Sequence, residues 1–396
     1  MNILSCTKHS NNYQFYTSVK DVPKEVWKEL QCEDNLYLSI AYLEALEDHN
    51  ESIEFVYLVL TNEAKKPIAF TTIQIVDFYL DSVQNEMQSI VEWIKCMGRK
   101  LRVISPEEPF KVLTSGNTFV SGEHGIFIKQ DQDKKQVVKD VSKGLLEYAK
   151  SKYNDSIDAF MLKDFLTESL YITDELKEVR FNSFKVEPNM VLTLNENWTS
   201  FDDYLEAMKT KFRVKAKKAM KQSSSLRVED ITVEMLDDLL PKMTDLYKKV
   251  SGKSGFNLGD FDLASYKCLK RNLGDKYLLK GYWLDEQLVG FMSGIINQKT
   301  LDAHFVGIDY KFNKSYAVYQ RMLYDYIILG IKEGVHCINF GRTASEIKSS
   351  VGAVPEDLTI YLRHKKTIPN KILSLFLDKI QPTEFKQKLP FKEVKK

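Results

Sequence analysis

The stretch from Lys276 to Arg342 constrains the fold more than any other part of this chain. Two apolar, aromatic-rich runs, YLLKGYWL and QLVGFMSGIIN, flank a short polar joint at Leu284–Gln287, the pattern of a strand, a turn and a second strand. A third strand is expected from Thr300 to Gly307. Beyond the charged loop Asp309–Lys314, apolar Val318, Met322, Tyr326 and Leu329 recur at helical spacing, and Gly334 stands where a C-terminal cap belongs. A fourth strand, His336–Phe340, closes the unit. Hairpin, strand, helix, strand is an order that sets a loop and a helix start beside a sheet, which suits a ligand bearing phosphates or a carbonyl.

The same order occurs earlier. Helix 36–48, hairpin 53–76, strand 124–128, helix 136–153 and strand 158–163 match helix 233–250, hairpin 277–297, strand 300–307, helix 316–333 and strand 336–340. A further amphipathic helix is expected over 84–97, where Met87, Ile90, Val91 and Ile94 share a stripe. The length of 396 residues agrees with two units of roughly 190 residues each. The reading is an α/β (α+β) protein: a first unit over 1–195, a second over 196–365, and a basic amphipathic tail over 366–396.

Charge is balanced, with 56 Lys and Arg against 55 Asp and Glu, so any case for a polyanionic partner rests on local patches. Two exist. Lys209, Lys211, Arg213, Lys215, Lys217, Lys218 and Lys221 fall in one acid-free segment, which as a helix favours tRNA or a membrane surface unless acids elsewhere pair with it. The tail carries Ile368, Ile372, Leu375, Phe376 and Ile380 on one helical face among many lysines, the pattern of peripheral membrane contact or of docking on the domain. The five cysteines are scattered, with no metal-type spacing or disulfide framework. No eighteen apolar residues run together, so no transmembrane segment is expected, and the reading is cytoplasmic, with peripheral contact at the inner membrane face left open. Serine-hydrolase elbows, zinc-type histidine pairs, Walker loops and dinucleotide fingerprints are all missing from the sequence.

Candidate chemistry clusters in three places. On the strand 300–307, Asp302 and His304 share a face, as residues two apart do, and offer a base with an orienting partner. Arg342, Glu346 and Lys348 follow the last core strand, at the strand end where open α/β sheets bind ligands. Arg342 suits a carboxylate or phosphate, and Glu346 suits a proton or an amine. In the first half, SGEHG sets Glu123 and His124 between glycines on a tight turn. Each set also has a plain structural reading: a solvated strand face, a salt-bridge cluster, a hydrogen-bonding turn.

Three stretches, FDDYLEAMKTKFRVKAKKAMK, HFVGIDYKFNKSYAVYQRMLYDYIILGIKEG and INFGRTASEIKSSVGAVP, together with DNLYLSIAYLEALED in the first half, resemble the GNAT-like acyltransferases of the Fem and BioF2-like branch, which carry two fused GNAT-type units. The resemblance implies an N-acyltransferase that moves an acyl group from acyl-CoA or an acyl carrier to an amine, on a small-molecule or lipid-linked acceptor, without a metal. It equally admits Fem-like aminoacyl transfer from charged tRNA in cell-wall peptide synthesis, or a non-catalytic recognition protein that keeps the fold. In place of the glycine-rich pyrophosphate loop of ordinary GNAT enzymes stands YKFNKSY (310–316), where Lys311, Lys314, Ser315 and Tyr316 are the expected donor contacts. The matching first-half loop, Lys129–Lys135, contains Asp131 and Asp133 and is a poor phosphate site. The donor is therefore expected on the second unit, with Asp302, His304 and Glu346 catalytic and Arg342, Lys348, Glu123 and His124 binding substrate in a groove between the units.

Overall fold

A computed structural model describes residues 12–78, 109–154, 156–252, 259–377 and 380–393. The helix expected over 84–97 lies outside them. The chain forms two compact units, Met1–Val186 with Gly255–Phe261 and Asp357–Pro382, and Glu187–Ser254 with Asp262–Glu356 and Thr383–Lys396. The first changeover thus falls inside strand β7 (Asn182–Thr193), ahead of the expected 195/196, because Val191–Thr193 of that strand pair with the second unit's sheet. The segment expected as a separate tail is divided between the units at Pro382.

The first unit contains β1 (Tyr13–Tyr16), β2 (Ile53–Thr61), β3 (Pro67–Phe78), β4 (Phe110–Ser115), β5 (Ile126–Ile128), β6 (Ala159–Leu166) and, from Asp357 on, β13 (Val354–His364). Its order is β1-β2-β3-β4-β6-β13, with β5 also on β3. The helix Lys134–Tyr153 forms because Val137, Val141, Leu145 and Ala149 recur every fourth residue, and all four are buried. Asp133 caps its start by accepting from the backbone of Lys135 and Gln136, and Asn154 ends it in the left-handed region. The buried face meets Val56, Leu58, Ile73, Leu113 and Leu162 on the sheet. Truncating a fully buried residue here, such as Leu145, removes about 2–5 kcal/mol.

The second unit holds β8 (Arg227–Asp230), β9 (Tyr277–Leu284), β10 (Gln287–Asn297), β11 (Thr300–Ile308) and β12 (Cys337–Asn339), in the order β7-β12-β11-β10-β9-β8. The helix Val318–Lys332 carries the chain from β11 to its parallel neighbour β12. Val318, Met322, Tyr326 and Leu329, the residues picked out by spacing, are all buried. The expected loop before this helix is itself helical over Tyr310–Tyr316, and a single left-handed residue, Ala317 (φ 48°), separates the two helices. The Asn313 side chain accepts from Tyr319 N at 2.9 Å, which gives the second helix its cap and stabilises the break.

One correspondence between the halves changes. The strand 124–128 is not by itself the partner of 300–307. Ile73 faces Ser115 of β4 and Thr71 faces Ile126 of β5, so β4 and β5 are two pieces of one row along β3, interrupted by residues 116–125. In the second unit Gly294 faces Ala303 and Met292 faces Val306, which leaves His304 and Phe305 opposite Ser293 alone. That is a β-bulge. The interruption opposite Thr72 and the bulge opposite Ser293 occupy the same place in the two sheets.

Candidate functional site at the parting of two parallel strands

The site is built where β11 and β12 stop pairing. Their ladder spans Thr300–Asp302 against Cys337–Asn339 and ends there, whereas β11 continues through the bulge to Ile308. Parallel strands that part at their carboxyl ends leave backbone donors and acceptors for a ligand. The bulge is pinned from β10: Ser293 Oγ accepts from Phe305 N at 3.0 Å and donates to Phe305 O at 3.1 Å.

Asp302 closes the ladder. It is buried, and Asn339 Nδ2 donates to its Oδ1 at 3.0 Å. His304 stands in the bulge, and its Nδ1 lies 3.3 Å from Ser293 Oγ. The rings of Tyr266, Tyr277 and Phe305 surround His304, with centroids at 6.3, 6.3 and 4.2 Å. Although the residue keeps some surface, Nε2 is buried, and desolvation pushes its pKa down to about 3. At neutral pH the imidazole is uncharged.

Past Asn339 the backbone is unusual. Gly341, Thr343 and Ala344 have φ of 69°, 63° and 50°, and left-handed conformations at non-glycine residues mark strain held by the surroundings. Lys348, on the short helix Ser345–Ser349, supplies part of that hold by donating to Gly341 O at 3.2 Å and to Arg342 O at 2.5 Å. Its ammonium is buried, and desolvation lowers its pKa to about 7. Arg342 is part-buried with its Nε enclosed, and desolvation lowers it to about 10. Glu346 stands apart from this group. It is 60 % exposed, pairs with Lys388 at 2.6 Å, and is held below the usual carboxylate range by that hydrogen bond first and by the charges of Lys388, Lys386 and Lys215.

Of the expected donor contacts, Lys311, Lys314 and Ser315 are exposed on the helix Tyr310–Tyr316 and Tyr316 is part-buried. Asp309 caps that helix and also lies 3.4 Å from Lys249. An acid therefore already caps its start.

In the first unit the equivalent place is filled. β4 and β6 pair in parallel over Val112–Ser115 and Ala159–Leu162, and just beyond lie Lys163 and Asp164, both buried and joined at 2.6 Å. Lys163 Nζ also donates to Asn117 O at 2.6 Å within the 116–125 excursion. Glu123 accepts from Leu166 N at 3.1 Å, and burial raises its pKa. His124 lies 3.3 Å from Asn35, its ring 4.4 Å from that of Tyr37, and burial with the Lys163 charge takes its pKa to about 3. Glu123 and His124 are thus knitted into the first unit.

Asn339, Lys163 and Asp164 are not among the residues that the sequence points to. A lone amide in the apolar run CINF was a usable signal for Asn339. Nothing in DAFMLKD separates a buried ion pair from a strand leaving the core. Among the described residues no group of His, Cys, Asp and Glu is placed to hold a metal ion, and no helix is long and apolar enough to cross a membrane.

No family model matches the chain, and no curated protein matches it. Solved structures do. FemX is similar with a TM-score of 0.52 and 11% identity over 89% of this chain and 98% of that one. A tandem GNAT protein from the clavulanic acid biosynthesis pathway is similar with a TM-score of 0.53 and 7% identity over 90% and 99%. At such identities the likeness establishes the fold, which is that of the GNAT-like, Fem-type acyltransferases with two GNAT-type units in one chain.

Proposed function

We propose that this chain is a GNAT-type N-acyltransferase whose second unit takes the acyl donor. The observation that carries the reading is the contrast between equivalent places: in the second unit the parallel strands part beside a one-residue bulge, and in the first the gap holds residues 116–125 and the Lys163–Asp164 pair.

In this reading the donor's carbonyl lies along the unpaired edge of β11 beyond Asp302, where backbone N–H groups stabilise the oxyanion. A neutral amine attacks the carbonyl carbon, the ammonium proton passes to the Asp302 carboxylate, and the C–S bond of the thioester breaks as the thiolate takes up that proton. Asn339 orients Asp302. Neutral His304 acts as a positioning residue, and Arg342 and Lys348 supply positive charge near the reacting carbonyl. Glu346, ionised and paired with Lys388, contributes charge balance at the rim. Lys311, Lys314, Ser315 and Tyr316 meet the donor's phosphates from the helix Tyr310–Tyr316.

A second donor class has its own support. Thr210–Gln222 is a helix on which Lys211, Lys215, Lys217, Lys218 and Lys221 are all exposed, as charged tRNA requires, although Arg213 and Lys217 share a cleft with Asp202 and Glu206. Calorimetric titration with acetyl-CoA, a long-chain acyl-CoA and charged tRNA separates the donors. A thioester donor binds saturably and about fivefold more weakly to Lys314→Glu. If none of the three binds, the transferase reading fails and the non-catalytic reading replaces it.

A further inference from the structure

The helix Thr367–Leu377 presents an apolar stripe to solvent. Ile368, Ile372 and Leu375 recur at i, i+4 and i+7; Ile368 and Leu375 are 68 % and 63 % exposed, and Ile372 between them is half-buried. A single exposed aliphatic is ordinary, whereas a stripe along one helical face calls for a partner. The opposite face explains why the stripe cannot simply turn inward. Asn370 is buried, accepts from His364 N at 2.8 Å and donates to Arg180 O at 2.8 Å, and Leu377 is buried as well. The helix is fixed to the first unit in one rotation.

Charge identifies the partner. From Lys365 to Leu377 there is no acid. Lys365 is neutralised by Asp158 at 2.9 Å, which leaves Lys366 and Lys371 exposed beside the stripe, with Arg180 exposed where its carbonyl meets Asn370. Protruding aliphatics ringed by cations fit the headgroup and acyl boundary of an anionic bilayer. A nucleic acid would instead call for exposed aromatic rings on which bases stack.

We propose that the helix Thr367–Leu377 is an interfacial helix that seats the protein on an anionic lipid surface through Ile368, Ile372 and Leu375, with Lys366, Lys371 and Arg180 meeting the headgroups. This does not depend on which donor the second unit takes.

Full-length protein is sedimented with vesicles of phosphatidylcholine and with vesicles of phosphatidylcholine and phosphatidylglycerol. Binding is expected to the anionic vesicles and to fall as salt rises. The double variant Ile368→Ser, Leu375→Ser lowers the partition coefficient at least about tenfold. Lys366→Glu with Lys371→Glu lowers it about tenfold and flattens the salt dependence. All four positions are exposed, so both variants keep the wild-type melting temperature closely. The proposal is overturned if the wild type stays in the supernatant with anionic vesicles, or if either variant binds as the wild type does. It is equally overturned if lipid-free protein self-associates with concentration and the serine variant abolishes that, because the face then serves a second copy of the chain.

Discussion

Asn339 Nδ2 donates to Asp302 Oδ1 at 3.0 Å across the last residue pair of the β11–β12 ladder, and both residues are buried. Removing the amide leaves a buried acceptor one hydrogen bond short. Asn339→Asp replaces the donor with a second carboxylate about as close, and two such groups in a buried site share one proton. The variant is expected to lose about 2–4 kcal/mol at pH 7 and to recover part of the loss near pH 4, when the shared proton is bound. Urea unfolding at the two pH values checks this, and equal losses at both would remove Asp302 from the role assigned to it.

His304 and His124 are both depressed to about 3 by desolvation, with the Lys163 charge adding to the effect at His124. Below the ordinary histidine pKa the unfolded chain takes up protons that the folded chain refuses, so stability rises with pH over the window from about 3 to about 6.5. It is fully present above that window. His304→Asn is expected to flatten the acid side of a melting-temperature profile, and transfer activity is expected to show no histidine titration near pH 6.5. A wild-type activity profile that follows a group near pH 6.5 lost in His304→Asn would show that the imidazole ionises in the folded state.

Lys348 is lowered to about 7 because its ammonium is buried. Between that value and the ordinary lysine pKa the unfolded chain again binds more protons, so the lysine disfavours folding at low pH and progressively less as pH rises. The stability of the wild type relative to Lys348→Met is therefore expected to improve from about pH 7 upward by as much as about 1.4 kcal/mol per pH unit. Paired denaturant titrations at pH 6 and pH 9 measure it. A difference that does not change with pH would mean that the ammonium remains charged throughout.

Much of the framework was legible. The helical spacing of Val318, Met322, Tyr326 and Leu329 and the hairpins at 53–76 and 277–297 follow from side-chain periodicity, which the structure keeps because one face of each element is buried. What could not be read depends on contacts far apart in the chain. The SGEHG stretch reads only as a tight turn ahead of the strand 124–128, and only the register of β4 and β5 against β3 shows residues 116–125 as an excursion. Ala317 in the left-handed region runs against local preference and is supported by Asn313, which caps the following helix. Lys163 ends the strand expected over 158–163 and Asp164 lies just past it, and both charges are buried because each compensates the other.

The central claim, that the donor occupies the second unit's parted strands and not the first unit's filled gap, is tested most directly by hydrogen exchange of the full-length protein with and without saturating long-chain acyl-CoA or charged tRNA. The account predicts slowed exchange at 303–308 and 340–348, unchanged exchange at 112–128 and 159–166, and loss of the effect in a bulge-disrupting Ser293→Val variant that remains folded. Protection appearing instead at 112–128 would place the donor in the first unit, and the absence of protection in either unit would contradict the account.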